Sequence, residues 1–154
     1  MMQRILIAAD GAADALRLAR TVRELIPEGG GAQVTVLQVL APPVPPALST
    51  PLAPPLTAGD DLLVLGEANA RRELEPARDE LRQAGFRAEV DVATGLPGEE
   101  ICRYAEQGGY QLIVMGRRGL GRLQEVLLGS VSEYVLRHTR LPVLVVQQAP
   151  QMKA

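Results

Sequence analysis

Five short apolar runs alternate with four segments of helical pattern, and this alternation constrains the fold more than any other feature. The runs cover residues 5–9, 34–40, 86–92, 112–115 and Val143–Val146. Between them, apolar residues recur at the 3.6-residue period of a helix. Mostly apolar strands separated by helices indicate a parallel sheet covered on both faces. The pattern predicts an α/β fold: one doubly wound, Rossmann-like domain with a five-stranded parallel sheet of order 3-2-1-4-5.

Details of the pattern refine this prediction. A first helix should bury a stripe formed by Ala15, Leu18, Ala19, Val22, Leu25 and Ile26. A helix over about residues 60–84 contains Pro76, which predicts a kink or a break. Residues 86–92 alternate apolar with charged side chains, as in a strand at a sheet edge. Most of the twelve prolines lie between residues 42 and 55. We therefore expect a domain over residues 1–148 with a proline-rich loop at 42–58, and a tail at 149–154.

Composition limits the partners that the chain can take. The formal charge is −2, and only 3% of the residues are aromatic. Nucleic-acid binding usually needs a basic face and stacking platforms, so we expect none. The longest apolar runs have the length of strands, which argues against a membrane span. Because Cys102 is the only cysteine and the first residues do not resemble a signal peptide, the sequence predicts a cytoplasmic protein.

Glycines follow the fourth apolar run in a spacing that suits a phosphate ligand. Gly116 ends the run, Gly119 follows it, and Gly129 comes directly before a predicted helix. Glycine allows positive φ and a close approach of the backbone to a ligand. A helix start adds N–H groups and the positive end of a dipole. The P-loop tripeptide and the Gly-x-Ser-x-Gly motif of serine hydrolases are both absent from the sequence.

The glycine spacing resembles the ATP-binding branch of the universal stress protein family. The motif Gly-x2-Gly-x9-Gly-Ser, followed by Val131-Ser132-Glu133, matches that branch at every fixed position. Residues 5–11, 95–101 and 141–146 are similar to the family as well. The resemblance implies that the chain binds ATP, or ADP or AMP, together with Mg²⁺.

The resemblance also implies roles for particular residues. The glycines at 116, 119 and 129 would let the loop close around the phosphates. Ser130 and Val131 would offer backbone N–H groups, and the hydroxyls of Ser130 and Ser132 would bond phosphate oxygens. At the adenosine end it places Ala9, Asp10 and the backbone of Val39.

Several of these residues have a second interpretation. Arg117 can pair with phosphate or remain a solvated arginine of the loop, and the same holds for Arg118 and Arg122. Residues 130–133 also read as a capping box, in which Ser130 caps the helix. Asp10 can equally be a turn or cap residue before the first helix.

The final strand predicts an assembly. In the order 3-2-1-4-5, Val143–Val146 is an edge, and an apolar edge favours pairing. The resemblance implies a homodimer through this strand. The alternative is that the C-terminal tail shields the strand.

We expect a nucleotide-responsive regulator with an unidentified protein partner and no enzymatic activity beyond slow hydrolysis, since no general base is evident. The alternative is a nucleotide-free interaction module. A nucleotide-transferring enzyme is disfavoured because Lys153 is the only lysine.

Overall fold

The computed structural model describes residues 3–27, 31–42, 57–117 and 129–147. Strands and helices alternate along the chain, as the apolar pattern predicts. The elements are β1 (Arg4–Ala9), α1 (Ala12–Leu25), β2 (Gln33–Leu40), α2 (Thr57–Gln83), β3 (Arg87–Thr94), α3 (Pro97–Gln107), β4 (Leu112–Gly116), α4 (Ser130–His138) and β5 (Val143–Val146).

The strands form one parallel sheet in the order β3-β2-β1-β4-β5, which confirms the predicted fold class. Ile7 in β1 stands between Val36 in β2 and Val114 in β4. The strand order reverses between β1 and β4, because the chain continues from β1 to one side and later returns to the other. In such sheets, ligands bind outside the carboxyl ends of the strands at this reversal.

Helices cover both faces of the sheet, and the two-residue period of the strands decides which side chain faces which layer. Ile5 and Ile7 belong to a cluster with buried residues of α1 and α2. Leu6 and Ala8 point the other way, into a cluster with residues of α3 and α4. All four of these side chains are buried. Burying an aliphatic side chain contributes roughly 1.5–3 kcal/mol, so both layers stabilise the sheet.

The apolar stripe of α1 matches the prediction except at one residue. Ala15, Leu18, Ala19 and Val22 are buried, but Leu25 is 60% exposed. The helix ends at Leu25, and the extended backbone of the next residue returns Ile26 to the core. Leu25 was therefore wrongly assigned to the core, because the periodicity cannot show where the helix stops.

The second helix continues through its proline. Pro76 lies inside α2 on an exposed face, while Leu74 and Ala77 on either side of it are buried. Of the two predicted outcomes, a break of the helix at Pro76 does not occur. The predicted edge position of β3 is confirmed by the strand order.

Two further predictions concern the proline-rich segment and membrane-spanning helices. Most of the proline-rich segment, residues 43–56, lies outside the described residues. Within the described ranges, no helix combines the length and the apolar character needed to cross a membrane.

Candidate functional site

A cavity of about 290 Å³ opens where the strand order reverses, at the carboxyl ends of β1 and β4. Its apolar lining comes from the strand ends and from the first turns of α3 and α4. These apolar residues are Ala8, Val39, Pro97, Ile101, Met115 and Val131. The remaining lining consists of small, polar or acidic residues: Ala9, Asp10, Asp14, Gly116, Ser130 and Ser132. The cavity thus combines an apolar surface with polar groups drawn from three different elements.

The amino end of α4 borders this cavity. Ser130 is the first residue of the helix, and Gly129 precedes it as the N-cap with φ −63° and ψ 159°. The first backbone bond of the helix runs from the N–H of Glu133 to the carbonyl of Gly129, over 2.9 Å. N–H groups in the first turn of a helix have no intrahelical acceptor, and the helix dipole adds positive potential there. The arrangement favours an anion beside residues 130–132.

Ser132 connects α4 to the end of β4. Its Oγ donates a hydrogen bond of 2.8 Å to the carbonyl oxygen of Gly116, and the residue is only 2% exposed. This bond fixes the first turn of α4 relative to the last residue of β4. The proton of the Ser132 hydroxyl is therefore used within the protein, so in this arrangement it is not offered to a phosphate oxygen.

An acidic side chain lies beside Gly116. The Oδ2 atom of Asp14 accepts a 2.9 Å hydrogen bond from the backbone N–H of Asp10. Its Oδ1 atom accepts a 2.5 Å bond from Nη2 of Arg17. Nη1 of Arg17 lies 3.5 Å from the carbonyl oxygen of Val146 and 3.4 Å from that of Gln147. A chain of polar contacts thus joins the cavity to the end of β5.

Most of the predicted nucleotide-binding residues come together at this cavity. The residues among them that line it are Ala9, Asp10, Val39, Gly116, Ser130, Val131 and Ser132. Gly129 lies next to this group as the cap of α4. The N–H of Arg117 donates to the carbonyl oxygen of Val146 over 3.2 Å. Gly119, Arg118 and Arg122 lie outside the described residues.

Two local expectations were wrong. Gly116 and Gly129 were expected to permit positive φ, yet neither adopts it. A Cβ at Gly116 would lie 2.7 Å from Nη2 of Arg17 and 3.1 Å from Oδ1 of Asp14, so a larger residue there would have to displace this ion pair. Ser130 was read as the cap of a capping box, but Gly129 is the cap and no side chain caps the helix. The helix begins one residue earlier than the motif suggested.

Sequence reasoning missed Asp14 and the apolar lining residues other than Val39 and Val131, which are Ala8, Pro97, Ile101 and Met115. Asp14 resembles an ordinary acid in the first turn of a helix, and its neighbour Gly116 is 102 residues away along the chain. Pro97 was recognised as a helix start, but the sequence does not show that this helix start borders the cavity. Ala8 could have been identified from the alternation of side chains along β1, because residues 6 and 8 lie on the same face of the strand.

The thiol near the cavity is structural. Cys102 follows Ile101 on α3 and is 8% exposed. Burial, and to a lesser extent the charge of Glu106, raises the pKa of the Cys102 thiol above its usual range. A thiol that stays protonated is a poor nucleophile. Among residues 3–27, 31–42, 57–117 and 129–147, no three metal-binding side chains cluster together.

Comparisons with known proteins agree on one family. The model of the universal stress protein family matches residues 1–147. Universal stress protein MJ0577 of Methanocaldococcus jannaschii is 40% identical over 79 residues, which are 51% of this chain and 49% of that protein. Stress response protein NhaX of Bacillus subtilis is 28% identical across 94% of this chain and 97% of its own length.

The solved structures show the same likeness in three dimensions. The structure of MJ0577 superimposes with a TM-score of 0.80 and 28% identity, covering 97% of this chain and 98% of that one. Three of the curated relatives, MJ0577 among them, align over about half of their own lengths. The family model nevertheless spans nearly the whole sequence. This chain belongs to the universal stress protein family.

Proposed function

We propose that this protein binds an adenine nucleotide in the cavity at the ends of β1 and β4. The observation that carries the proposal is the convergence of Asp10, Gly116 and residues 130–132 on one cavity. These residues are far apart in sequence: Asp10 follows β1, Gly116 ends β4 and residues 130–132 begin α4. The glycine motif singles out the same loop and helix start from sequence alone.

The chemistry of the lining supports a nucleotide. The amino end of α4 suits a phosphate, because backbone N–H groups and the helix dipole both favour an anion. Val39, Ile101 and Met115 provide an apolar surface of the kind that a purine base prefers.

Distant members of the family carry such ligands. Solved universal stress proteins have been obtained with cAMP, with AMP in the protein from Arabidopsis thaliana, and with dAMP in that from Archaeoglobus fulgidus. They are 16–22% identical to this chain, with TM-scores of 0.60–0.66. That identity shows a common fold, so their ligands support the proposal by analogy.

Within this proposal, Mg²⁺ would be held mainly by phosphate oxygens and water. Magnesium keeps several waters in most protein sites, and the Asp14 carboxylate is already paired with Arg17. The ion would neutralise part of the charge of a polyphosphate. No residue of the described lining offers an obvious general base for water, so the proposed role is binding rather than hydrolysis.

We further propose that the protein works as a regulatory homodimer that presents a nucleotide-dependent surface to an unidentified partner in the cytoplasm. The edge position of β5 supports this, since an apolar edge strand favours pairing with a second copy. All four residues of β5 are only half-buried within the chain. Sedimentation equilibrium at micromolar concentration should give the mass of a dimer, and a monomeric mass would overturn this part.

Calorimetric titration with AMP, ADP and ATP tests the binding proposal. A true binder is also stabilised against heat by saturating ligand, by about 2.7 kcal/mol when the ligand is at 100 times Kd. A flat response to all three nucleotides would favour the nucleotide-free interaction module.

The substitution Ser130→Asp tests the proposed phosphate position at the start of α4. Ser130 is exposed and is the first residue of α4, so an aspartate there stabilises the helix by roughly 0.3–1 kcal/mol through the dipole. The same charge opposes a phosphate, and nucleotide affinity should fall about tenfold or more. Ser130→Asn is the matched control, with a similar shape and no charge. Equal affinities for the two variants would contradict the proposed phosphate position.

A further inference from the structure

Asp14 places a carboxylate in the proposed nucleotide site. Its side chain is 9% exposed and lines the same cavity as Gly116, Ser130 and Ser132. Two contacts hold it there: the 2.9 Å bond from the N–H of Asp10 and the 2.5 Å bond from Arg17. A side chain held on both oxygens cannot easily turn away from an incoming ligand.

The carboxylate also lies close to the proposed phosphate position. Oδ1 of Asp14 would be only 3.1 Å from a Cβ on Gly116, so it packs against the last residue of β4. The carbonyl of that residue accepts the bond from Ser132 in the first turn of α4. Both the Asp14 carboxylate and the first turn of α4 therefore lie close to Gly116. The carboxylate is negative, whereas the helix start favours an anion.

We infer that Asp14 limits the number of phosphates that the site accepts and makes it selective for a nucleoside monophosphate. This inference rests on the proposed function and deepens it. The amino end of α4 can attract one phosphate, whereas each further phosphate adds charge near a carboxylate that cannot move aside. Charges in a partly buried cavity interact more strongly than charges in water.

Arg17 acts as the positioning residue for Asp14. Its Nη2 bonds the carboxylate, and its Nη1 lies within 3.5 Å of the carbonyl oxygens of Val146 and Gln147. Arg17 is not part of the cavity lining, so it stands behind Asp14 as seen from the ligand. It orients the carboxylate and offsets part of its charge.

The two side chains therefore predict opposite effects on selectivity. In a buffer without divalent cations, the ratio of the Kd for ATP to the Kd for AMP should fall about tenfold in Asp14→Asn. The same ratio should rise about threefold in Arg17→Gln, because the carboxylate loses its cation. If Asp14 and Arg17 had a purely structural role, the substitutions would change the stability of the protein and the affinities for ATP and AMP together. The ratio of the two Kd values would then remain unchanged.

Matched controls remove the same charges elsewhere. Asp79→Asn changes an exposed aspartate on α2 that pairs with Arg78. Arg20→Gln changes an arginine one turn further along α1 that pairs with Glu80. Both controls should leave the ratio within about twofold of the wild-type value, since charges at the surface are screened.

The possible results separate the inference from the proposed function. An unchanged ratio in Asp14→Asn, with AMP still bound, overturns the inference alone. A loss of ATP affinity by this variant in Mg²⁺ also overturns it, because Asp14 would then be holding the cation. If the wild-type protein binds none of the nucleotides, both the proposed function and the inference fail.

Discussion

The hydrogen bond between Ser132 and Gly116 gives the sharpest prediction about how the site is built. Ser132→Ala removes a donor that is 2% exposed and lies 2.8 Å from its acceptor. A buried bond contributes about 0.5–1.5 kcal/mol net, and an acceptor left without its partner can raise the cost to about 3 kcal/mol. We therefore expect the free energy of unfolding to fall by about 1–3 kcal/mol.

Ser130→Ala is the control for this experiment. Ser130 is exposed and makes no capping hydrogen bond, so its substitution should change the free energy of unfolding by less than about 0.5 kcal/mol. Both variants gain the same helix propensity from alanine, and the difference between them isolates the buried bond. Urea unfolding monitored by circular dichroism measures this difference in the free energy of unfolding. Equal dependence of that free energy on urea concentration in the two variants checks two-state behaviour. Equal losses in the two variants would refute the reasoning.

Two other predictions concern the layer formed by α3 and α4. Gly98→Ala should destabilise the protein by about 1–3 kcal/mol through overpacking, because the new Cβ would lie 2.5 Å from Cδ1 and 2.9 Å from Cβ of Tyr134. The control is Gly66→Ala, at a helical glycine with open space around it, and it should be neutral or stabilising in the same urea experiment. A larger loss of stability in Gly66→Ala than in Gly98→Ala would contradict this. Because the pKa of Cys102 is raised in the folded state, the unfolded chain loses the thiol proton first. The wild type should therefore lose stability relative to Cys102→Ala as the pH rises above about 9, and a difference that stays constant from pH 7 to 10 would contradict the assignment.

The sequence predicted the topology because apolar periodicity is strong in every element. Ile5 and Ile7 face one layer and Leu6 faces the other, as the two-residue period of a strand requires. The charged alternation at Arg87, Glu89 and Asp91 likewise indicated an edge strand, since a central strand of a covered parallel sheet has two apolar faces.

The details of the site were harder to predict, because they depend on contacts between distant segments. Nothing local to Asp14 indicates that it will lie against Gly116. Gly116 borders the cavity, but it does not have the positive φ that the motif suggested, and a Cβ there would instead crowd Asp14 and Arg17. The cap of α4 was misplaced by one residue because Gly129 and Ser130 both suit an N-cap. Such choices are settled by three-dimensional packing.

The most direct measurement of the central claim is an NMR titration of ¹⁵N-labelled protein with AMP. If the nucleotide lies with its phosphate at the amino end of α4, the amides of Gly116, Val131 and Ser132 should shift together along one saturating curve. Resonances of Arg20 and Glu24, on α1 away from the cavity lining, should stay in place. Shifts confined to residues outside the cavity, or no saturable shift at millimolar AMP, would contradict the account.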